Sequence, residues 1–457
     1  MREGMHIHFI GIGGSGMNGI ARIMLELGYK VTGSDLNTGK TTARLTDLGA
    51  VCYKGHAPEN INGAEMVVVS TAIAANNVEL AAAKEQGLPV RHRGEMLALL
   101  MDRQKGVAIA GSHGKTSTTA MLSLVAEKNR LDPTIIIGGE LSDIDGNAKL
   151  GRGVYLIAEA DESDGSFLKL EPFIEIITNI EDDHLDYYKS TANIIAAFKS
   201  FIGKVPRDGA LIACLDCENT ARILQAYEGN RITYAVNRSD ADYSLGNIRL
   251  DQDKTGGDVY FRGEKLGSLT LRAPGLHNLS NALAVVAAGR FMGLSFTGIK
   301  EALSEFKGAG RRFQYLGKVG GVSVVDDYAH HPSEIVATLK AARQVNEGRV
   351  ISVFQPHRYT RANRFKERFG ESFSDADVII VSDIYSAGEA PIDGVNAGSI
   401  KTAIERHEGR EVFYLPTRTE IVDYLTKNAR PGDLILTIGA GDIWRAGVEL
   451  VNRLKES

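Results

Sequence analysis

One stretch limits what this chain can become: Val107-Ala-Ile-Ala-Gly-Ser-His-Gly-Lys-Thr-Ser-Thr-Thr119. An apolar β-type run ends in Gly111-Ser112-His113-Gly114-Lys115-Thr116-Ser117 and passes into residues with helix-compatible apolar spacing. Strand, glycine turn, lysine, hydroxyl and helix in that order make a phosphate cradle. Backbone N–H groups and the helix N-terminus face the anion, Lys115 adds a point charge, and a hydroxyl can hold Mg²⁺. Ile109 stands where the longer phosphate-loop pattern has its first glycine, so the loop is the shorter Gly-x-x-Gly-Lys-Thr form. The ligand expected there is a nucleoside triphosphate.

A second glycine loop lies near the N-terminus. His6–Ile10 reads as a strand, Gly11-Ile-Gly-Gly-Ser-Gly-Met17 as a turn into an apolar-periodic helix, and Val31–Asp35 as the end of the next strand. Gly11, Gly13 and Gly16 form G-x-G-x-x-G in the strand-to-helix setting that this fingerprint requires. Asp35, 24 residues after Gly11, is placed to accept from a ribose hydroxyl. The loop recognises a diphosphate, so a dinucleotide and any other nucleoside diphosphate conjugate fit it equally.

The 457 residues, 43% of them hydrophobic, are enough for two to four domains. A net charge of −5 supplies no basic field, which argues against nucleic acid as the main partner. Cys52, Cys214 and Cys217 are too few for a disulfide framework, and no apolar run suggests membrane insertion. The expectation is a cytoplasmic protein acting on small molecules, as a monomer or homodimer.

Strands alternating with helices predict an α/β fold with mostly parallel sheets in three domains. Residues 1–103 form a Rossmann-like domain, in which Ser70, Thr71 and Arg93 fall at strand ends where ligands sit. Residues 104–313 form a central phosphate-loop domain with strands at Gly153–Ile157, Ile174–Thr178, Ala210–Ala213 and Arg231–Ala235. Two of its strand ends are acidic: Glu159-Ala-Asp161-Glu162-Ser-Asp164, and Glu181-Asp182-Asp183-His184. Mg²⁺ on a triphosphate takes one or two such oxygen ligands, which makes this a magnesium site. A hairpin region is expected over 241–271, followed by a helix that carries Asn278 and Asn281 three residues apart near its start. Gly308-Ala-Gly-Arg311-Arg312 is a basic turn before a Rossmann-like domain over 314–457. There Asp326-Asp327-Tyr328-Ala-His330-His331 and Gln355-Pro-His357-Arg358-Tyr-Thr-Arg361 end successive strands, a basic pocket suited to a small carboxylate.

Taken in order, the two glycine loops, Ala158–Asp164, Gly275–Asn281, Gly310–Phe313, Asp326–Pro332 and Gln355–Arg361 resemble the motifs of the Mur ligases along nearly the whole chain. The resemblance implies ATP-dependent amide synthesis in peptidoglycan assembly, with UDP-N-acetylmuramate as the sugar nucleotide and L-alanine as the amino acid. It gives the ATP phosphates to Gly111, Ser112, His113, Gly114, Lys115, Thr116 and Ser117. Asn278, Asn281, Arg312 and Asp327 become further ATP contacts. Thr116, Glu159 and His184 are the implied metal ligands, for Mg²⁺ with Mn²⁺ able to replace it, and Lys115, Glu159, His184, Arg312 and Asp327 are the implied catalytic set. UDP falls to Gly11, Gly13, Gly14, Ser15, Gly16 and Met17, with Asp35 on the uridine side, and Ser70, Thr71 and Arg93 are grouped with the sugar nucleotide. Tyr328, His330, His357, Arg358 and Arg361 match the family's amino-acid pocket. Ala329 and Ser112 replace a common glycine and threonine without removing a functional group. A member that joins a preformed peptide to the same sugar nucleotide is the nearest alternative. Three ligands on three domains imply closure about hinges near residues 104 and 314.

Overall fold

A computed structural model of the chain describes residues 2, 4–141, 144 and 146–456. It resolves into two compact units, one made of residues 1–245, 259–267 and 281–303, the other of 246–258, 268–280 and 304–457.

The first unit holds the N-terminal sheet and most of the central one. β1 (His6–Ile10), β2 (Lys30–Asp35), β3 (Val51–Lys54), β4 (Met66–Val69) and β5 (Val90–His92) are all parallel, in the order β3-β2-β1-β4-β5. The order reverses between β1 and β4, the kind of switch point at which open sheets bind ligands. All of β1 is buried, because helices cover the sheet. The helix Ser15–Glu26 turns Met17, Ile20, Ala21, Ile23 and Met24 inward, at the spacing of one helical face.

β6 (Lys105–Ala110), β7 (Thr134–Leu141), β8 (Gly146–Lys149), β9 (Tyr155–Glu159), β10 (Ile174–Ile177), β11 (Ala210–Cys214) and β12 (Arg231–Ala235) are seven strands of the ten-stranded central sheet, in the order β12-β11-β10-β6-β9-β7-β8. Only the β7–β8 pair at this end is antiparallel. The neighbours of β6 are β10 and β9, so the two acidic strand ends fall on either side of the phosphate loop. β13 (Tyr243–Leu250), β14 (Thr255–Phe261) and β15 (Glu264–Leu271) occupy the region expected to form hairpins.

In the second unit β16 (Gln314–Val319), β17 (Val322–Asp327), β18 (Val350–Phe354), β19 (Val378–Val381), β20 (Phe413–Tyr414) and β21 (Leu434–Ile438) take the order β16-β17-β21-β18-β19-β20. Only β16 is antiparallel, and apolar clusters line both faces of the sheet. Among the described residues no helix is long and apolar enough to cross a membrane.

The expected α/β class and mostly parallel sheets are present. Sequence reading missed β3, β7, β8, β16 and β20, and it placed the strand at 153–157 two residues early. β3 has no buried residue and β20 is two residues long, so neither carries a strong apolar signal.

Glu175 on β10 is fully buried, and neither carboxyl oxygen has a hydrogen-bond partner. Burial alone drives its pKa well above the ordinary value. The native state therefore holds a proton that the unfolded chain releases near pH ~4.3. Its stabilising effect is complete below that pH and is lost as pH rises towards the folded pKa. Glu175→Leu is expected to remove this loss. Thermal melts should show the variant gaining on the wild type from mildly acidic to alkaline pH, by about 1–3 kcal/mol at the alkaline end.

Candidate active site

β6 ends at Ala110, and the chain turns through Gly111–Gly114 into the helix Lys115–Lys128. Two positions in the turn admit only glycine. Gly111 has φ +133°, and a Cβ there would lie 2.1 Å from Thr178 Oγ1. Gly114 has φ +83°, and a Cβ would lie 2.6 Å from Asn281 Oδ1, so the amide of Asn281 sits against the loop. The loop is braced by the end of β10. Thr178 Oγ1 and Asn179 Nδ2 donate to the carbonyl of His113 at 2.6 and 3.0 Å, and Asn179 Oδ1 accepts its N–H at 2.9 Å. Ser112 Oγ accepts the N–H of Glu181 at 2.8 Å.

The Lys115 ammonium points back into this turn. It donates to the carbonyls of Gly111 and Ser112 at 2.5 and 3.2 Å and to Glu162 Oε1 at 2.8 Å. Burial works against its charge, but Glu162, Glu159 and Asp161 outweigh burial and raise its pKa. Beside it Thr116 Oγ1 donates to Glu159 at 3.0–3.1 Å, and Gly138 N–H donates to the same carboxylate at 2.8 Å. A hydroxyl and a carboxylate in contact at the mouth of a phosphate cradle are the hard oxygen donors that Mg²⁺ takes. His184, in left-handed backbone at φ +54°, sets Nε2 3.6 Å from Glu162 Oε1 and 3.5 Å from Asp183. Ser117 is buried on the first turn of the helix.

In the N-terminal sheet Asp35 accepts from Gly13 N–H at 3.0 Å and from Asn37 N–H at 3.0 Å, so it braces the glycine loop itself. Gly14 caps the helix that carries Ser15, Gly16 and buried Met17. Ser70 closes a turn by accepting from Ile73 N–H, and Thr71 Oγ1 donates to Asp164 at 2.5 Å. Arg93, expected at a strand end where ligands sit, is paired with Asp161 at 2.6 Å and Asp164 at 3.2 Å, its guanidinium 3.3 Å from where a Gly16 Cβ would be. Its charge links the glycine-loop side of the unit to the acidic end of β9.

In the second unit Asp327 accepts the N–H groups of Phe313 and Ala329, each at 2.8 Å. Burial raises its carboxyl to about 6, against the pull of Arg312 and these donors. Arg312 lies over the Tyr328 ring at 5.1 Å and 3.7 Å from Glu334. Arg311 is tied to Asp326 and to the carbonyls of Gly439 and Gly441, which makes it the structural member of the pair. Asn278 donates to the carbonyl of Pro274 from the start of the helix Leu276–Phe291.

Tyr328, His330, His357 and Tyr385 form a row of rings with centroids 5.5, 5.9 and 5.6 Å apart, the last pair stacked at 8°. Arg361 Nη1 lies 3.2 Å from His357 Nδ1. A guanidinium only donates, so that nitrogen accepts and the imidazole proton sits on Nε2. Arg358 has φ +68° and donates its N–H to the carbonyl of Tyr385 at 2.8 Å. The structure thus gathers all five expected pocket residues and adds Tyr385. It also adds Glu162, Thr178 and Asn179 to the phosphate loop, residues just past the ends of β9 and β10 whose partners are distant in sequence.

Comparison with known proteins bears on the whole chain. Profiles described as "Mur ligase family, catalytic domain", "Mur ligase middle domain" and "Mur ligase, glutamate ligase domain" match residues 6–105, 109–289 and 311–441. A UDP-N-acetylmuramate–L-alanine ligase of Pelotomaculum thermopropionicum is 65% identical over 457 residues, covering 100% of this chain and 99% of that protein. The crystal structure of the UDP-N-acetylmuramate-alanine ligase MurC of Thermotoga maritima matches with a TM-score of 0.86 at 29% identity, over 99% of each chain. A murein peptide ligase of Psychrobacter arcticus matches with a TM-score of 0.73 at 25% identity, also over 99% of each.

Gly111→Ala is expected to disrupt the phosphate loop, because the new Cβ meets Thr178 and the backbone of Asn179 in a conformation open to glycine alone. Denaturant unfolding should show a loss of about 3 kcal/mol, and binding of an ATP analogue should weaken in parallel.

Proposed function

The chain belongs to the Mur ligase family, and from that premise we propose that it joins L-alanine to the carboxylate of UDP-N-acetylmuramate at the expense of ATP. The products are UDP-N-acetylmuramoyl-L-alanine, ADP and phosphate. The observation that carries this is the Lys115 ammonium, held between two loop carbonyls and Glu162 and flanked by the Thr116–Glu159 pair. L-Alanine as the amino acid is supported by 65% identity, end to end, to a ligase of that name.

A carboxylate is a poor acyl donor, so the muramyl carboxylate first attacks the terminal phosphorus of ATP, giving an acyl phosphate and ADP. Lys115 and the N–H groups at the start of its helix stabilise the charge on the phosphoryl oxygens as it moves. Thr116 and Glu159, with His184 beside Glu162, are the proposed Mg²⁺ site, and the ion when bound neutralises phosphate charge. The alanine amine then attacks the acyl carbon, and phosphate leaves from a tetrahedral intermediate. Arg358 and Arg361 suit the alanine carboxylate, while the ring row from Tyr328 to Tyr385 leaves His357 with a fixed N–H donor.

Gly11, Gly13, Gly14, Ser15, Gly16 and Met17 are proposed for UDP, with Ser70 and Thr71 nearby in the same sheet. Asn278, Asn281, Arg312 and Asp327 keep the ATP roles that the resemblance gives them, and domain limits of 1–103, 104–313 and 314–457 follow the same scheme. The enzyme is proposed to work in the cytoplasm, where ATP is available, as a monomer or homodimer.

Phosphate release with ATP and Mg²⁺, with UDP-N-acetylmuramate and L-alanine added singly and together, tests the assignment. Release should require both and fall by at least about 10³-fold in Lys115→Ala, the loss of a cation from a transferring phosphoryl group. Release driven by a preformed peptide but not by L-alanine would instead make this a peptide ligase.

A further inference from the structure

A buried polar chain in the N-terminal sheet has no part in the phosphoryl and acyl transfer steps. Glu79, on the first turn of the helix Val78–Glu85, is fully buried. Its Oε2 accepts from Ser34 Oγ at 2.5 Å and faces His56 Nδ1 at 3.3 Å and His8 Nε2 at 3.5 Å. Its Oε1 accepts from Asn60 Nδ2 at 2.6 Å and from Ala57 N–H at 3.2 Å. Burial works to raise the Glu79 pKa, but hydrogen bonds from His8, Ser34, Asn60 and Ala57 outweigh it and hold it at about 2.

Counting hydrogens exposes a deficit. From Glu79 the chain runs through His8 to Thr32 Oγ1 at 2.8 Å, on to His6 Nε2 at 2.9 Å, and from His6 Nδ1 to the carbonyl of Gly63 at 2.7 Å. Both ends, a carboxylate and a carbonyl, only accept. Four contacts need four hydrogens, while two neutral imidazoles and one hydroxyl supply three. The chain closes only when it holds one more proton. The other charged or titratable groups facing it are His56, Tyr53, Lys30 and Glu65, the last accepting the N–H of His6 at 3.1 Å.

The same carboxylate reaches the glycine loop through one residue. Ser34, whose hydroxyl Glu79 holds, accepts the N–H groups of Gly11 and Ile12 on its carbonyl at 2.8 and 3.0 Å. The next residue, Asp35, accepts from Gly13 N–H on its side chain and from Gly55 N–H on its carbonyl.

We propose that Glu79 is a positioning residue for the sugar nucleotide, fixing the end of β2 under the glycine loop, and that it does so only while the His6–Thr32–His8 chain carries its extra proton. This rests on the assignment of that loop to UDP-N-acetylmuramate. Burial lowers the pKa of His6, so the chain gives up its extra proton as pH rises; one of the four contacts then opens, the support beneath Ser34 slackens and sugar-nucleotide affinity falls.

Glu79→Gln distinguishes this from a merely structural role. An amide nitrogen in place of Oε2 can donate to His8 Nε2 and Ser34 Oγ, and the Ser34 hydroxyl can turn to His56 Nδ1, already 2.9 Å away. The chain then closes with neutral imidazoles, so the variant needs no extra proton.

The test is calorimetric binding of UDP-N-acetylmuramate to the full chain from about pH 5 to about pH 8, the range in which histidine titrates. Wild-type, Glu79→Gln and Glu79→Ala proteins are compared, with turnover measured alongside. Wild-type Kd should rise about tenfold across the range, the effect of one hydrogen bond to a charged group. Glu79→Gln should bind as the wild type does at the acidic end and stay flat. Glu79→Ala should bind at least about tenfold more weakly throughout, with KM for ATP and L-alanine and kcat at saturating sugar nucleotide unchanged. A Glu79→Gln profile parallel to the wild type overturns the proposal even if Glu79→Ala fails to fold. Wild-type-like binding by Glu79→Ala overturns it too. Absence of wild-type turnover counts against the ligase itself, whereas a working enzyme with no pH slope counts against Glu79 alone.

Discussion

The site depends on keeping a largely buried ammonium charged. The Lys115 side chain is largely buried, 14% exposed, and stays protonated because Glu162, Glu159 and Asp161 surround it. Those carboxylates are there because β9 runs beside β6 in parallel register, with Ile109 opposite Glu159. A parallel pair sends both chain ends to the same edge of the sheet, so one strand delivers the phosphate loop and its neighbour the acids. On the other side β10 supplies Thr178 and Asn179, whose hydrogen bonds hold the carbonyl and N–H of His113. The loop is stiff before any nucleotide arrives, and little ordering entropy is left to oppose binding.

The two other sheets solve comparable problems with different groups. In the N-terminal sheet the first glycine loop is held from beneath by carboxylates, Asp35 directly and Glu79 through Ser34, so its N–H groups keep a fixed direction. In the C-terminal sheet the ends of β17 and β18 carry rings and guanidinium groups, which suit a small zwitterion. Arg361 fixes the tautomer of His357, and the stacked Tyr385 fixes its plane. Each site combines a short local motif with partners brought in by strand pairing.

That combination accounts for how much the sequence disclosed. Both glycine loops, Lys115, Thr116 and the acidic strand ends were legible because their chemistry lies within a few consecutive residues and their strand-to-helix setting is marked by apolar runs. The cluster of Tyr328, His330, His357, Arg358 and Arg361 was legible for the same reason, since these residues fall in two short motifs. Tyr385 was legible only as part of the polar end of the strand at 378–381, because it meets His357 only after β18 and β19 pair. Glu79 was hidden more deeply, as an isolated acid on a short helix whose partners come from β1, β2 and the segment after β3. Arg93 was found, but its engagement with Asp161 and Asp164 depends on packing between two sheets that spacing alone does not encode. The missed strands β3 and β20 are short and poorly buried, which leaves little periodic signal to read.

The most direct test of the central claim follows one oxygen atom. UDP-N-acetylmuramate carrying heavy oxygen in its muramyl carboxylate is turned over with ATP and L-alanine, and the inorganic phosphate is analysed by mass spectrometry. Attack of that carboxylate on ATP, followed by displacement by the alanine amine, predicts one heavy oxygen in the phosphate and one retained in the amide product. Phosphate free of the label would contradict acyl-phosphate formation and, with it, the role of Lys115 and its acids in phosphoryl transfer.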